Sequence, residues 1–177
     1  MRVVAGELGG RRLWAPRGRR LRPTADRVRE ALFSILGDVE EASVLDLYCG
    51  TGALAIEALS RGAAHATLVD TDTRPALRNV EALDLGDRAT AVRSDAIAFL
   101  RTAARGPGHD LVFCDPPYRL ADRIEADLDS LLPPCLAKGG RVIIESSQRQ
   151  PLALSLPLLT QRRYGDTIVA IHTTEPS

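Results

Sequence analysis

From Ser43 to Ser146 the chain alternates short apolar runs with amphipathic stretches, and this alternation constrains the fold more than any other feature. Apolar runs at 44–47, 66–70, 90–93, 110–114 and 141–146 have the length of strands. Helical spacing fills about 53–61, 73–84, 95–104 and 121–137, the last of these broken by Pro133-Pro134. Strands that are apolar on both faces fit a parallel sheet covered by helices on either side. The expected class is therefore α/β, a Rossmann-like and mostly parallel sheet. Beyond Ile144 the pattern changes, and 160–164 with 167–173, joined around Gly165-Asp166, read as a closing antiparallel hairpin.

Ahead of the alternation, Arg2-Val3-Val4-Ala5 and Gly10-Arg11-Arg12-Leu13-Trp14 flank a turn and read as an N-terminal β-hairpin arm. Ala15 to Pro23 reads as a basic loop. Thr24 can cap a helix to about Leu36 that carries Val28, Ala31, Leu32 and Ile35 on one face. The expected division is a basic extension at 1–23 and an α/β domain at 24–177.

In an open parallel sheet, ligands bind beyond the carboxyl ends of the strands, near the point where strand order reverses. Residues 44–55 form a strand, a glycine turn and a helix start, and Gly50, Gly52 and Ala55 satisfy a dinucleotide-type fingerprint. Asp46 sits inside the strand just before that turn. Its carboxylate would repel a pyrophosphate and attract a cofactor bearing a sulfonium and an ammonium. Asp70 can accept from a ribose diol, and Asp95, followed by Ala96, can accept from an adenine amino group or cap the next helix. Tyr48, Cys49 and Thr51 are expected to line the same cleft, while Asp72 is a candidate helix cap. S-adenosylmethionine is the cofactor that suits this set. Four acids at the ends of successive strands should face one rim.

Asp115-Pro116-Pro117-Tyr118 follows the apolar run 111–114 and supplies the chemistry. An exocyclic amine on a base is a poor nucleophile because its lone pair is delocalised into the ring. A carboxylate and a backbone carbonyl that accept its hydrogens localise and aim that lone pair. The two prolines stiffen the turn, and Tyr118 offers a face on which an extruded base can stack. The structural alternative is a strand ending in a proline turn, with Asp115 as a turn former.

A chain of 177 residues with 45% apolar and 26% charged residues fits one globular domain. No apolar run has the length of a membrane span, and no apolar core of a secretory signal precedes the alternation. Cys49, Cys114 and Cys135 lack disulfide or metal spacing, and His65, His109 and His172 are scattered, so no metal site and a cytoplasmic location are expected. The zero net charge hides an asymmetry. Residues 1–29 carry nine arginines against Glu7 and Asp26, a balance of +7, which leaves −7 for the rest. Arg2, Arg11, Arg12, Arg17, Arg19, Arg20 and Arg22 are the candidate nucleic-acid contacts.

The order Asp46-Leu47-Tyr48-Cys49-Gly50-Thr51-Gly52, then Asp70, Asp95 and Asp115-Pro116-Pro117-Tyr118, resembles the class I S-adenosylmethionine-dependent methyltransferases that act on amino groups. More narrowly the chain resembles the RsmD family. The marks are Arg2 to Gly6 with Gly10 to Leu13, Arg22-Pro23-Thr24 leading to residues 27–33, and Tyr164-Gly165-Asp166-Thr167. The resemblance implies a seven-stranded sheet and methylation of the guanine N2 amine, of the guanine 966 type, in 16S ribosomal RNA of the small subunit. It also implies a monomer that meets its RNA in an assembled or assembling particle. A role for Arg22-Pro23-Thr24 in closing the cofactor cleft is a further expectation.

Four alternatives stay open on the residues alone. An adenine-N6 nucleic-acid methyltransferase would use the same tetrapeptide, and a protein-amide methyltransferase would not need the basic arm. An NAD-dependent oxidoreductase would accept the glycines but leave residues 115–118 unexplained. A non-catalytic RNA-binding module would not need the acids.

Overall fold

The structure is a computed structural model that describes residues 1–16, 26–103 and 106–175, less the side chains of Tyr118, Ala121 and Asp122. Helix α1 (Asp26–Leu36) leads into β1 (Ser43–Leu47), α2 (Ala53–Ser60), β2 (His65–Asp70), α3 (Arg74–Ala82) and β3 (Ala89–Arg93). Then follow α4 (Ala96–Ala103), β4 (His109–Cys114), α5 (Ala121–Leu131), β5 (Leu136–Ser147), β6 (Leu158–Tyr164) and β7 (Thr167–Thr173). The seven strands lie in the order β3-β2-β1-β4-β5-β7-β6. The first five are parallel, and β7 runs antiparallel to both β5 and β6. This is the Rossmann-like, mostly parallel sheet that the alternation predicts, with the seven strands and class I fold that the resemblance implies. Among the described residues no helix is long and apolar enough to cross a membrane.

The apolar runs are two-faced, as a sheet with helices on both sides requires. Val44, Leu68, Leu111, Phe113 and Ile143 pack on one face with Leu32 and Phe33 of α1, Ile56 and Leu59 of α2, and Val80 of α3. Leu45, Leu47, Val69, Val112 and Ile144 pack on the other with Leu100 of α4 and Leu128 of α5. Asp46 falls between Leu45 and Leu47, so period-two alternation turns its carboxyl toward the first face.

Two element boundaries depart from expectation. The stretch expected as a helix over 121–137 ends at Leu131. Pro133–Cys135 form a 3-10 turn and Leu136 already opens β5. Two adjacent prolines remove the N–H donors that a continuing helix would need. Strand β5 is accordingly longer than 141–146, and its pairing to β4 shifts register between His109 and Leu111.

The N-terminal hairpin is real but barely a ladder. Arg2 and Arg12 form a single antiparallel bridge. Val3 N–H donates to the Arg11 carbonyl at 2.9 Å and Leu13 N–H to the Met1 carbonyl at 3.1 Å. The ladder stops because the next donors go elsewhere. Val4 and Ala5 N–H groups donate to the Glu57 carboxylate at 2.7 and 3.0 Å, and Glu57 is fully buried in α2. Leu8 N–H donates to Ser60 Oγ at 3.0 Å, and a Cβ on Gly6 (φ +81°) would overlap the Ser60 carbonyl. Val3 and Leu13 are buried in the same core as α1 and α2. Arg88 adds a clamp, donating to Glu7 at 2.6 Å and to the Leu59 and Ala63 carbonyls at 2.8 Å. The hairpin is thus packed against the sheet's helical layer. Its second limb runs from Ser60, at the far end of α2, toward the glycine turn.

Candidate active site

Parallel register brings the strand ends into line. Leu47 pairs with Val69 and with Cys114, and Asp70 pairs with Arg93. Read across the sheet in the order β3-β2-β1-β4, the acids at the carboxyl rim are Asp95, Asp70, Asp46 and Asp115. At about 4.8 Å per strand they span roughly 14 Å. The strand order reverses between β1 and β4, the place where open α/β sheets hold ligands. Asp46 and Asp115 flank that point.

The glycine turn between β1 and α2 is tightly wound. Tyr48 (φ 60°), Gly50 (φ 55°) and Gly52 (φ 75°) are all left-handed. For Tyr48 that conformation costs about 1–2 kcal/mol, and such strain concentrates at functional turns. A Cβ at Gly52 would meet Leu68 Cδ2 at 2.6 Å, so a side chain here would strain the left-handed backbone and force the buried Leu68 to shift. Asp70 holds the turn: Oδ2 accepts from Gly50 N–H at 2.9 Å, and Oδ1 accepts from Asp72 N–H at 3.0 Å. Asp46 Oδ2 accepts from Ala55 N–H at 3.2 Å, in the first turn of α2, where the helix dipole also favours an anion. Thr51 and Cys49 are buried, and Tyr48 is half-buried.

Asp95 is exposed, and its Oδ1 accepts from Ala98 N–H at 3.0 Å, so it caps α4 just ahead of the buried Ala96. Its second oxygen, Oδ2, makes no hydrogen bond or ion pair among the described residues. Asp72 likewise accepts from Arg74 N–H at 3.4 Å at the start of α3, and pairs with the Arg74 guanidinium at 2.7 Å.

The rim is electrostatically loaded. Burial, partly offset by the Ala55 N–H and reinforced by Asp70, raises the Asp46 carboxyl to about 7. Burial, then Glu145 and Asp46, push Asp115 well above the usual carboxylate range. Cys49 and Cys114 thiols are raised by burial and by these same acids. Glu145 is an addition to the expected set. It lies one residue beyond Ile144, which pairs with Cys114, so Glu145 and Asp115 are neighbours across β4 and β5. The only signal for it in the sequence is its position at a strand end. A cleft of this kind repels phosphate and welcomes a cation.

Beyond Asp115, Pro116 is buried and Pro117 exposed. The Pro117 carbonyl accepts from Leu120 N–H at 2.8 Å, closing a 3-10 turn over Tyr118–Leu120. The carbonyl of Pro116 makes no hydrogen bond among the described residues. Arg2 and Arg12 are exposed on the hairpin, with Arg2 3.7 Å from Asp26. Arg11 donates to the Ala82 carbonyl at 3.3 Å, at the C-terminal end of α3. Arg17, Arg19, Arg20, Arg22, Pro23 and Thr24 lie outside the described residues.

A further basic group is hidden from sequence. Strand β5 ends at Ser147, paired with Thr167, and Gln148 N–H donates to the Asp166 carbonyl at 2.8 Å. The β6–β7 turn therefore stands on the same carboxyl rim as Asp115. Arg149, Arg162 and Arg163 are exposed around it. Arg162 and Arg163 donate to the backbone carbonyls of Gln161 and Gly165, and none of the three pairs with a carboxylate among the described residues.

The family model described as Conserved hypothetical protein 95 matches residues 1–173. The chain belongs to this family, the RsmD family. An Escherichia coli K12 relative, Ribosomal RNA small subunit methyltransferase D, is 45% identical over 123 residues, covering 67% of this chain and 61% of that protein. The chain thus matches about three fifths of that relative's length. YlbH of Bacillus subtilis is 36% identical over 185 residues, covering 97% of this chain and 98% of its own. Among solved structures, the E. coli protein yhhF superposes with a TM-score of 0.83 at 34% identity, covering 100% and 99% of the two chains. RsmD-family membership spans both the hairpin and the rim, since the matched residues run from the first to the 173rd.

Proposed function

We propose that this RsmD-family chain transfers a methyl group from S-adenosylmethionine to the exocyclic N2 amine of a guanine in 16S ribosomal RNA, of the guanine 966 type, in the small subunit. The observation that carries the reading is the row of four acids in the spatial order Asp95, Asp70, Asp46, Asp115. An extended S-adenosylmethionine presents adenine amine, ribose diol and cationic methionine end in that sequence. Asp95 would accept from the adenine amine and Asp70 from the ribose, with the turn Tyr48-Cys49-Gly50-Thr51-Gly52 and Ala96 against the nucleoside. Asp46 would face the ammonium and sulfonium. The relative named Ribosomal RNA small subunit methyltransferase D supports the substrate class.

At the end of the row, Asp115 and the Pro116 carbonyl accept the two amine hydrogens, and Pro117 and Tyr118 shape the turn and stack the base. S-adenosylmethionine, when bound, would supply the electrophilic methyl carbon, its sulfur taking the electrons of the carbon–sulfur bond. Asp115 and the Pro116 carbonyl would hold the nitrogen lone pair in line with that carbon, so that transfer leaves a cationic secondary amine. That amine is acidic enough to lose its proton to Asp115 or to water. Orientation supplies much of the rate, since effective molarities for well-aligned partners correspond to about 7–11 kcal/mol. Exposed arginines on the hairpin (Arg2, Arg11, Arg12) and on the β5–β7 side of the rim (Arg149, Arg162, Arg163) supply phosphate contacts on either flank, to which Arg17, Arg19, Arg20 and Arg22 are expected to add.

Asp115→Ala tests the assignment. Turnover on small-subunit RNA is expected to fall at least about a hundredfold, as for loss of one oriented transition-state partner, while S-adenosylhomocysteine affinity in calorimetry changes less than about threefold. A variant with full activity rejects the role. Tight binding of NAD in place of S-adenosylhomocysteine would favour the oxidoreductase reading.

A further inference from the structure

Asn79, in the middle of α3, is buried, and its carboxamide makes three hydrogen bonds that use both of its N–H donors. Its Oδ1 accepts from Trp14 N–H at 2.7 Å. Its Nδ2 donates to the Trp14 carbonyl at 3.0 Å and to the Thr51 carbonyl at 2.9 Å. An amide that satisfies both the N–H and the C=O of one residue stands in for a strand neighbour. The same planar group then spends its remaining hydrogen on the glycine turn. One side chain therefore holds two segments that are far apart in sequence. The first is the end of the basic hairpin limb, and the second is the turn that faces the cofactor in the reading above. Arg78, the next residue back on α3, lies over the Trp14 ring at 4.3 Å and keeps the indole on the outer side of this junction.

We propose that Asn79 is a positioning residue that couples the glycine turn to the Trp14 segment, so that filling the cofactor cleft moves Trp14 and RNA held by that segment tightens cofactor binding by the same factor. The reciprocity is required by linkage. The proposal rests on the reading of residues 48–52 as the cofactor turn. Both partners hang on one rigid amide, so displacement of the Thr51 carbonyl must either move the Trp14 peptide or leave a buried polar group unpaired, which is costly. Other side chains do not reproduce the arrangement. Aspartate keeps an acceptor for Trp14 N–H but has no hydrogens for the two carbonyls. Alanine loses all three bonds.

Trp14 is the single tryptophan of the chain, so its emission reports this segment without a label. The full chain is titrated with S-adenosylhomocysteine, with binding followed by heat and by tryptophan emission, in the natural sequence and in Asn79→Asp and Asn79→Ala. In the natural sequence, heat and emission change should saturate together. In both variants binding heat should persist at saturating ligand, with affinity lowered roughly tenfold, the equivalent of one buried hydrogen bond, and the emission change should vanish. A purely structural asparagine would lower thermal stability and leave the emission response in place. The coupling is overturned by a natural protein that binds with heat but no emission change. It is equally overturned by a full emission change surviving in either variant, which would put the indole itself against the ligand. Absence of any binding heat in the natural sequence would instead remove the cofactor reading, and the coupling with it.

Discussion

Asp46 shows how one residue links burial to chemistry. Its carboxyl is held at about 7, against 3.8 for an exposed aspartate. The folded state therefore keeps a proton that the unfolded chain releases near pH 4. Between about pH 4 and 7 the folded state binds more protons, so stability falls as pH rises and levels off above 7. The size is roughly 4 kcal/mol from one such group, as an order of magnitude. In an Asp46→Asn variant the carboxamide oxygen can still accept from Ala55 N–H, but the side chain does not titrate. Urea melts from pH 4 to 8 should show the natural protein losing more stability than Asp46→Asn, and parallel curves would contradict the assignment. In the proposed reading a bound sulfonium would favour the ionised form, so cofactor binding and this stability would run in opposite directions with pH. That Asp46, Asp70, Asp95 and Asp115 share one rim is legible in the sequence, because strand parity and chain order can both be read from it. Glu145 beside Asp115 is not, because that proximity depends on β5 pairing with β4, a contact between distant segments.

At the scale of elements, the hairpin belongs to the folded layer. Its two limbs are legible from the glycines of the turn between them, yet its docking is not. Glu57 reads in sequence as an ordinary polar helix position, whereas it is buried and accepts from Val4, Ala5 and the Arg61 guanidinium at 2.7, 3.0 and 2.9 Å. Replacing Glu57 by Ala strands those donors. The expected loss is roughly 3 kcal/mol in urea denaturation, with protease cleavage appearing first within residues 1–16. A loss below about 0.5 kcal/mol would mean the hairpin is only loosely attached. The stretch at 121–137 has a similar lesson. Pro133-Pro134 is visible as an interruption, but the switch from helix to strand at Leu136 depends on its partner His109 across the sheet.

Over the whole molecule, charge is divided between an acidic cleft and basic flanks. The +7 balance of residues 1–29 points to one flank. The second, around the β6–β7 turn, cannot be read from sequence because Arg149, Arg162 and Arg163 meet Asp115's rim only through strand pairing. RNA affinity should fall with salt at about 0.7–0.9 log units per log unit for each phosphate contacted. Substituting Arg162 and Arg163 by Gln should reduce that slope by about 1.5, and an unchanged slope would leave RNA binding to the hairpin flank. Charge substitution is the right probe here, since deleting the hairpin would also remove the buried Val3 and Leu13.

Methyl transfer to ribosomal RNA is the decisive measurement. Small subunits from a strain lacking the modification, incubated with this protein and isotopically labelled S-adenosylmethionine, should gain one methyl group per particle. Nuclease digestion and mass spectrometry should recover it as N2-methylguanosine at a single position. Label recovered as N6-methyladenosine, or no label in RNA with a cleft that binds the cofactor, would overturn the assignment of this rim to guanine N2.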